Sequence, residues 1–272
     1  MKIVAPIFGR NNFDGLALPY TFDGSGVTLV RHSKDKFTGS DLFSSINQEH
    51  IKSASYAFEY DYSTHKAAEH DISLILLAFN VAHNLNAPFI KFRYCPGNED
   101  HSTILPETVT YNSERLRKQE YFDAPKLKRV DHIFDGIRNM EAVSQRLTNC
   151  IYFSCRAMVT QQWIDSYMLL ISSMESLVSK NEGRGATKAL CERVSKILEK
   201  QQVTETMMRD IYGLRSSMVH GRYELRDSNK MNLRHLLELQ HIHASIIEEF
   251  VINRYYDHFQ SETAREEWLN SL

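Results

Sequence analysis

The sequence predicts an α+β protein: a mixed strand-and-helix module over residues 1–130, then an all-α helical bundle over 131–272. Three observations carry this. All six prolines fall within the first 125 residues. Only five of the 11 glycines follow residue 130. Beyond residue 130 apolar residues recur every three or four positions, whereas before residue 62 they come in short runs bounded by turn residues. Proline and glycine interrupt helices, so long helices are confined to the C-terminal part.

Composition bounds the rest. The chain has 272 residues, 42% of them hydrophobic and 24% charged, enough to build a sizeable core. A formal net charge of -2 excludes a polycation, so any nucleic-acid site must be a local patch. The start, Met1-Lys2-Ile3-Val4-Ala5-Pro6, does not resemble a signal peptide. The longest apolar-rich run, 72–82, contains Ser73 and Asn80 and is shorter than the roughly 20 residues that span a bilayer. Cys95, Cys150, Cys155 and Cys191 form no C-x-x-C pair, which suits a reduced, cytoplasmic protein.

The N-terminal module reads as strands and turns through residue 62. Leu16-Ala17-Leu18 and Val27-Thr28-Leu29-Val30 are short apolar runs, and Asp23-Gly24-Ser25-Gly26 is a turn. The segment 55–62 alternates as a strand with an aromatic face. Residues 66–86 form a helix apolar nearly all round, hence buried. Residues 89–94 return to strand character. Residues 114–129, rich in Arg and Lys and containing Pro125, read as a solvated connection, with an RNA-contacting strip as the alternative.

The bundle follows. Residues 131–156 read as one helix and 160–180 as the next. In the second, Trp163, Tyr167, Leu170, Ile171, Met174, Leu177 and Val178 make a stripe of helical period. The loop 181–185 ends it. Residues 186–200 turn Leu190, Val194, Ile197 and Leu198 inward. Thr204 is placed to cap a helix running to Gly221, and Asn232 to cap a last one over 233–259. Four or five such helices with short connections form a bundle.

The chemistry is concentrated in 211–222. Met207, Ile211, Leu214 and Met218 fall at core spacing, with Arg215 and His220 off that stripe. His220 precedes Gly221, a residue suited to follow a helix end. Histidine titrates near neutral pH and arginine is permanently charged. Together they can move a proton and hold developing phosphate charge. Five helical residues turn about 500°, however, so the two side chains stand about 140° apart. Unwinding near Gly221, or a second copy of the chain, would be needed to unite them. Without further information Arg215 could equally bridge to a carboxylate, and His220 could simply end the helix.

The segment Arg215-Ser216-Ser217-Met218-Val219-His220 resembles the Arg-polar-x3-His motif of HEPN domains. Tyr212-x-Leu214-Arg215-x3-Val219-His220-Gly221 is similar to the Apea-like subgroup in particular. The upstream helix, with Trp163 and Met174-Glu175-Ser176-Leu177, resembles that subgroup's helix carrying Trp and then Glu-x-Leu. The likeness covers residues 131–258. It implies a helical bundle that dimerises, acting as a metal-independent endoribonuclease with no cofactor, in phage defence or stress. RNA and a second copy of the chain would be its partners, and the N-terminal module would sense a trigger or choose the RNA. By that resemblance the site residues are Arg215, His220, Ser216 and Glu175. His220 acts on the ribose 2′-hydroxyl or the leaving oxygen, Arg215 stabilises the pentacoordinate phosphate, and Glu175 orients Arg215; from its place at the margin of the apolar stripe alone, Glu175 could equally stand in water. Ser216 departs from the commoner Asn or Asp, and Arg222 stands where some paired toxins carry Tyr. A catalytically silent binding module, or a dimerisation scaffold, are the alternative readings.

Other groupings are read as structural. His241 and His243, two apart on a helix, cannot easily share a metal and are expected at the surface or an interface. Cys150 and Cys155 read as buried small hydrophobes. Gly183-Arg184-Gly185 lacks the Lys-Ser/Thr of a phosphate-binding loop.

Overall fold

The computed structural model describes residues 1–8, 11–37, 43–83, 87–104, 120–160, 162–180, 185–222 and 230–272. The chain forms two compact units: residues 1–79 with 86–135, and residues 80–85 with 136–272.

The first unit runs β1 (Lys2–Phe8), β2 (Asn11–Asn12), β3 (Tyr20–Thr21), β4 (Thr28–Arg31), α1 (Ser45–Ser53), β5 (Tyr56–Asp61) and most of α2 (His65–Ala82). It continues with β6 (Phe89–Ile90), β7 (Phe92–Cys95), β8 (Asn98–Ile104), β9 (Glu120–Tyr121) and the start of α3 (Ala124–Val143). Among the described residues one sheet has the order β3-β4-β5-β1-β7-β8, with β6 also pairing β1. Its ladders are antiparallel, with Ile3 opposite Tyr60 and Ala5 opposite Phe58. Asn11–Asn12 pair in parallel with Glu120–Tyr121 apart from it.

Strand β5 is buried from Tyr56 through Tyr60, rather than alternating between core and water. Both its faces are covered, as in a sheet packed on two sides. One core gathers Val4, Ala57, Phe92 and Tyr94 with Phe37, Phe43 and Ile51 of α1. In the other, Phe79 of α2 meets Phe13, Phe22 and Phe122 edge-on. Helix α1 corrects the expectation of strands and turns alone before residue 62. Ser44 accepts a hydrogen bond from the Asn47 N–H and starts it. The expected connection over 114–129 is also corrected at its end, because 124–129 already belong to α3. The basic residues 115–118 lie outside the described residues.

The second unit is helical: the remainder of α3, then α4 (Gln145–Val159), α5 (Trp163–Val178), α6 (Ala186–Ile197), α7 (Glu205–Val219), α8 (Lys230–Ile252) and α9 (Glu262–Ser271). The single helix expected over 131–156 is two. Its break is at Ser144, whose hydroxyl accepts from the Leu147 N–H and restarts the chain as α4. The last helix begins before Asn232 and stops at Ile252. A 3-10 segment, Tyr255–Gln260, and α9 follow it. Gly136 lets α3 approach α8, since a Cβ there would lie 2.2 Å from Val251 Cγ1.

Inside this bundle His243 is buried, not at a surface as expected for it. Its Nε2 lies 3.0 Å from Ser154 Oγ of α4 and 2.9 Å from Ser173 Oγ of α5. Both hydroxyls also donate to the Cys150 carbonyl. Burial holds the imidazole down at about 4, so it is neutral in the core, and pushes the Cys150 thiol up to about 12. No helix among the described residues is long and apolar enough to cross a membrane.

Candidate functional site

Glu175 rides on α5, where Tyr167, Leu170, Ile171, Met174, Leu177 and Val178 of the expected stripe are in the core and Trp163, at its start, is half-buried. The end of α5 is held from two directions. Arg193 of α6 donates to the Val178 carbonyl at 2.9 Å, and Arg265 of α9 donates to the Ser179 carbonyl at 2.8 Å. Arg265 is 1% exposed and pairs with Glu262 on its other side. These bonds satisfy carbonyls that a helix end leaves without partners.

Helix α7 carries the other candidates. Thr204 starts it, accepting from the Met207 N–H at 3.2 Å. Its end is a Schellman motif. Gly221 has φ +66, its N–H donates to the Met218 carbonyl at 3.3 Å, and the Arg222 N–H donates to that of Ser217 at 2.9 Å. The buried face is one position away from the expected stripe. Met208, Ile211 and Tyr212 are in the core, while Met207 is 39% exposed. Leu214 and Met218 are only half-buried. Adjacent methionines at 207 and 208 let either phase look helical, and packing on α5 decides it. The Tyr167 hydroxyl of α5 donates to the Ile211 carbonyl at 2.7 Å.

That phase puts Arg215 on the buried line 208, 211, 212, 215, facing α5. Its Nη2 lies 3.6 Å from Glu175 Oε1, and both side chains are 29% exposed. The Tyr212 hydroxyl donates to the same Oε1, and the Arg215 guanidinium carbon lies 5.6 Å from the centroid of the Tyr212 ring. Burial pushes the Glu175 carboxyl above the usual carboxylate range, while Arg215 beside it pulls the other way. Arg215 Nε is buried without a hydrogen-bond partner among the described residues.

The structure therefore brings Glu175 and Arg215 together and keeps His220 apart. His220 is exposed. Its N–H still donates to the Ser216 carbonyl at 3.0 Å, so α7 stays wound up to it and unwinds only at Gly221. The separation of about 140° read from the sequence is thus kept within one chain. Ser216 is half-buried, and its tie to His220 is through the backbone. Tyr223 lies outside the described residues. Tyr212 received no role from the sequence, although its place three residues before Arg215 puts both on one helix face.

Among the described residues no three His, Cys, Asp or Glu side chains are grouped to hold a metal ion. On the face of α7 away from α5, His220 is exposed and a Cβ at Gly213 would meet nothing within 4 Å. Searches against family models, curated proteins and solved structures find no match to this chain.

Proposed function

We propose that the chain is a metal-independent endoribonuclease of the HEPN type, acting as a homodimer, with Arg215 and His220 as its working pair. The observation that carries this reading is the state of Arg215. It is fixed by Glu175 yet remains partly exposed, with a buried Nε lacking a partner. An arginine serving only as a buried strut would have its donors satisfied. His220, exposed at the end of the same helix, supplies an imidazole that can take or give a proton.

In the reaction His220 takes the proton of a ribose 2′-hydroxyl, and the 2′-oxygen bonds to the adjacent phosphorus. The bond from phosphorus to the 5′-oxygen breaks, and that oxygen takes a proton from water to leave as a hydroxyl. Arg215 holds the added negative charge on the phosphoryl oxygens. The products are a 2′,3′-cyclic phosphate and a 5′-hydroxyl. Because one chain keeps Arg215 and His220 apart, the reading requires a second copy along α7. The bare Gly213, on the same side of α7 as the exposed His220, supports that contact. Defence or stress response is the setting such an enzyme suits, with residues 1–130 choosing the RNA or sensing a trigger.

The test is RNA cleavage in EDTA by wild type, Arg215→Ala and His220→Ala. Wild type cleaves, and each substitution lowers the rate by about 100-fold or more. RNA binding without cleavage, lost in Arg215→Ala, would establish instead the non-enzymatic binding module.

A further inference from the structure

Two donors meet one oxygen in this site. The Tyr212 hydroxyl engages Glu175 Oε1, and Arg215 Nη2 stands 3.6 Å from that atom. That is beyond the roughly 2.7–2.9 Å of a charge-assisted hydrogen bond. A guanidinium free to choose closes on a carboxylate with two parallel bonds. Here the phenol occupies an oxygen that such a fork would need, while its ring supports the guanidinium at 5.6 Å. Arg215 is thereby fixed in place but not consumed. Its Nε is buried and has no partner among the described residues, so that nitrogen is held by neither the carboxylate nor the phenol.

We propose that Tyr212 is a positioning residue: by engaging Glu175 it prevents Arg215 from closing on the carboxylate and keeps the guanidinium donors available to an incoming phosphate. The phosphate is that of RNA if the ribonuclease reading holds, and the inference rests on that reading for its purpose. The arrangement of Tyr212, Glu175 and Arg215 can be tested without it.

The decisive variant is Tyr212→Phe, which keeps the buried ring and removes only the hydroxyl. Freed of the phenol, Glu175 captures Arg215. In protein labelled with 15N-arginine, the Arg215 Nε–H signal is identified by its loss in Arg215→Lys. Rotation of its guanidinium about the Cζ–Nε bond should slow several-fold in Tyr212→Phe. It should return to the wild-type rate in Tyr212→Phe/Glu175→Gln. In RNA cleavage the same variant should lower kcat and kcat/KM together by about tenfold, the pattern expected when an interaction made in the transition state is lost. That loss should vanish in the Glu175→Gln background, as expected when two residues act through one contact. Equal rotation rates in folded wild type and Tyr212→Phe would overturn the inference, whatever RNA does. Slowed rotation with no RNA cleavage or binding by any of the proteins would uphold the role of Tyr212 and remove the ribonuclease reading. Should Tyr212→Phe not fold, Glu175→Gln alone decides. An unchanged rotation rate supports an arginine already free of the fork, and a several-fold acceleration shows it was closed and overturns the inference.

Discussion

Two glycines on one helix make opposite demands. Gly221 sits at φ +66, where an L side chain is strained even though open space surrounds it. Gly221→Ala should therefore cost about 1 kcal/mol, read as a lower urea midpoint. Gly213 has helical neighbours and equally open space. In an isolated chain Gly213→Ala should stabilise α7 by about 0.5–1 kcal/mol. If copies meet along α7, the added methyl group enters their contact. Thermal midpoint and sedimentation measured together would then move in opposite directions, a more stable chain with weaker self-association. Unchanged association would argue against that face as the dimer contact. The position of Gly221 was legible in the sequence, because His-Gly closing an apolar helical run has few other uses. The meeting of Glu175 with Arg215 was expected from a family resemblance and not from spacing. Periodicity says which way a side chain points, not which neighbouring helix it finds.

Helix boundaries were legible where a cap coincided with a change of pattern and hidden where it did not. Thr204 precedes α7 after a polar stretch, and its role could be seen. Ser144 could not, because Ile133, Phe134, Ile137, Met140, Leu147, Cys150 and Ile151 keep helical spacing straight through it. All seven are buried, so the break interrupts the helix without interrupting the run of buried positions. The hydroxyl bond from Ser144 to the Leu147 N–H is then what α4 depends on for its start. Ser144→Ala should destabilise the protein by about 1 kcal/mol, the usual loss at a helix N-cap, with Ser144→Asp close to wild type. A thermal melt of the two variants distinguishes a cap from a simple polar surface position, at which both would be neutral. His243 was misjudged for a related reason. It occupies a core position between Leu239 and Ile246, and its residue type obscured what its spacing showed.

For the molecule as a whole, the buried imidazole sets a limit on the acid side. Unfolded, histidine binds its proton near pH 6.5; in the core His243 does so only near 4. Between those values protons bind the unfolded chain preferentially, so stability falls as pH drops through 6.5 and levels off below 4. The loss attributable to this one residue is about 3 kcal/mol over that range. Urea midpoints at pH 7 and pH 5 should show it, and His243→Leu should flatten that part of the profile. A pH dependence identical in both proteins would show that His243 is not responsible. The wider architecture, strands first and helices after, followed from where proline and glycine fall. The covering of β5 on both faces did not, since alternating aromatics look the same whether one side or both are buried.

The anchoring of α5 has a consequence in time as well as in space. The strand of backbone that presents Glu175 is fastened by Arg265, 90 positions further along, and Arg265 is held by Glu262. While the ribosome is still making the chain, Glu175 and Arg215 are both synthesised long before that fastening exists. Until residues 262–271 have left the exit tunnel, the end of the helix that presents Glu175 lacks the Arg265 bond to the Ser179 carbonyl.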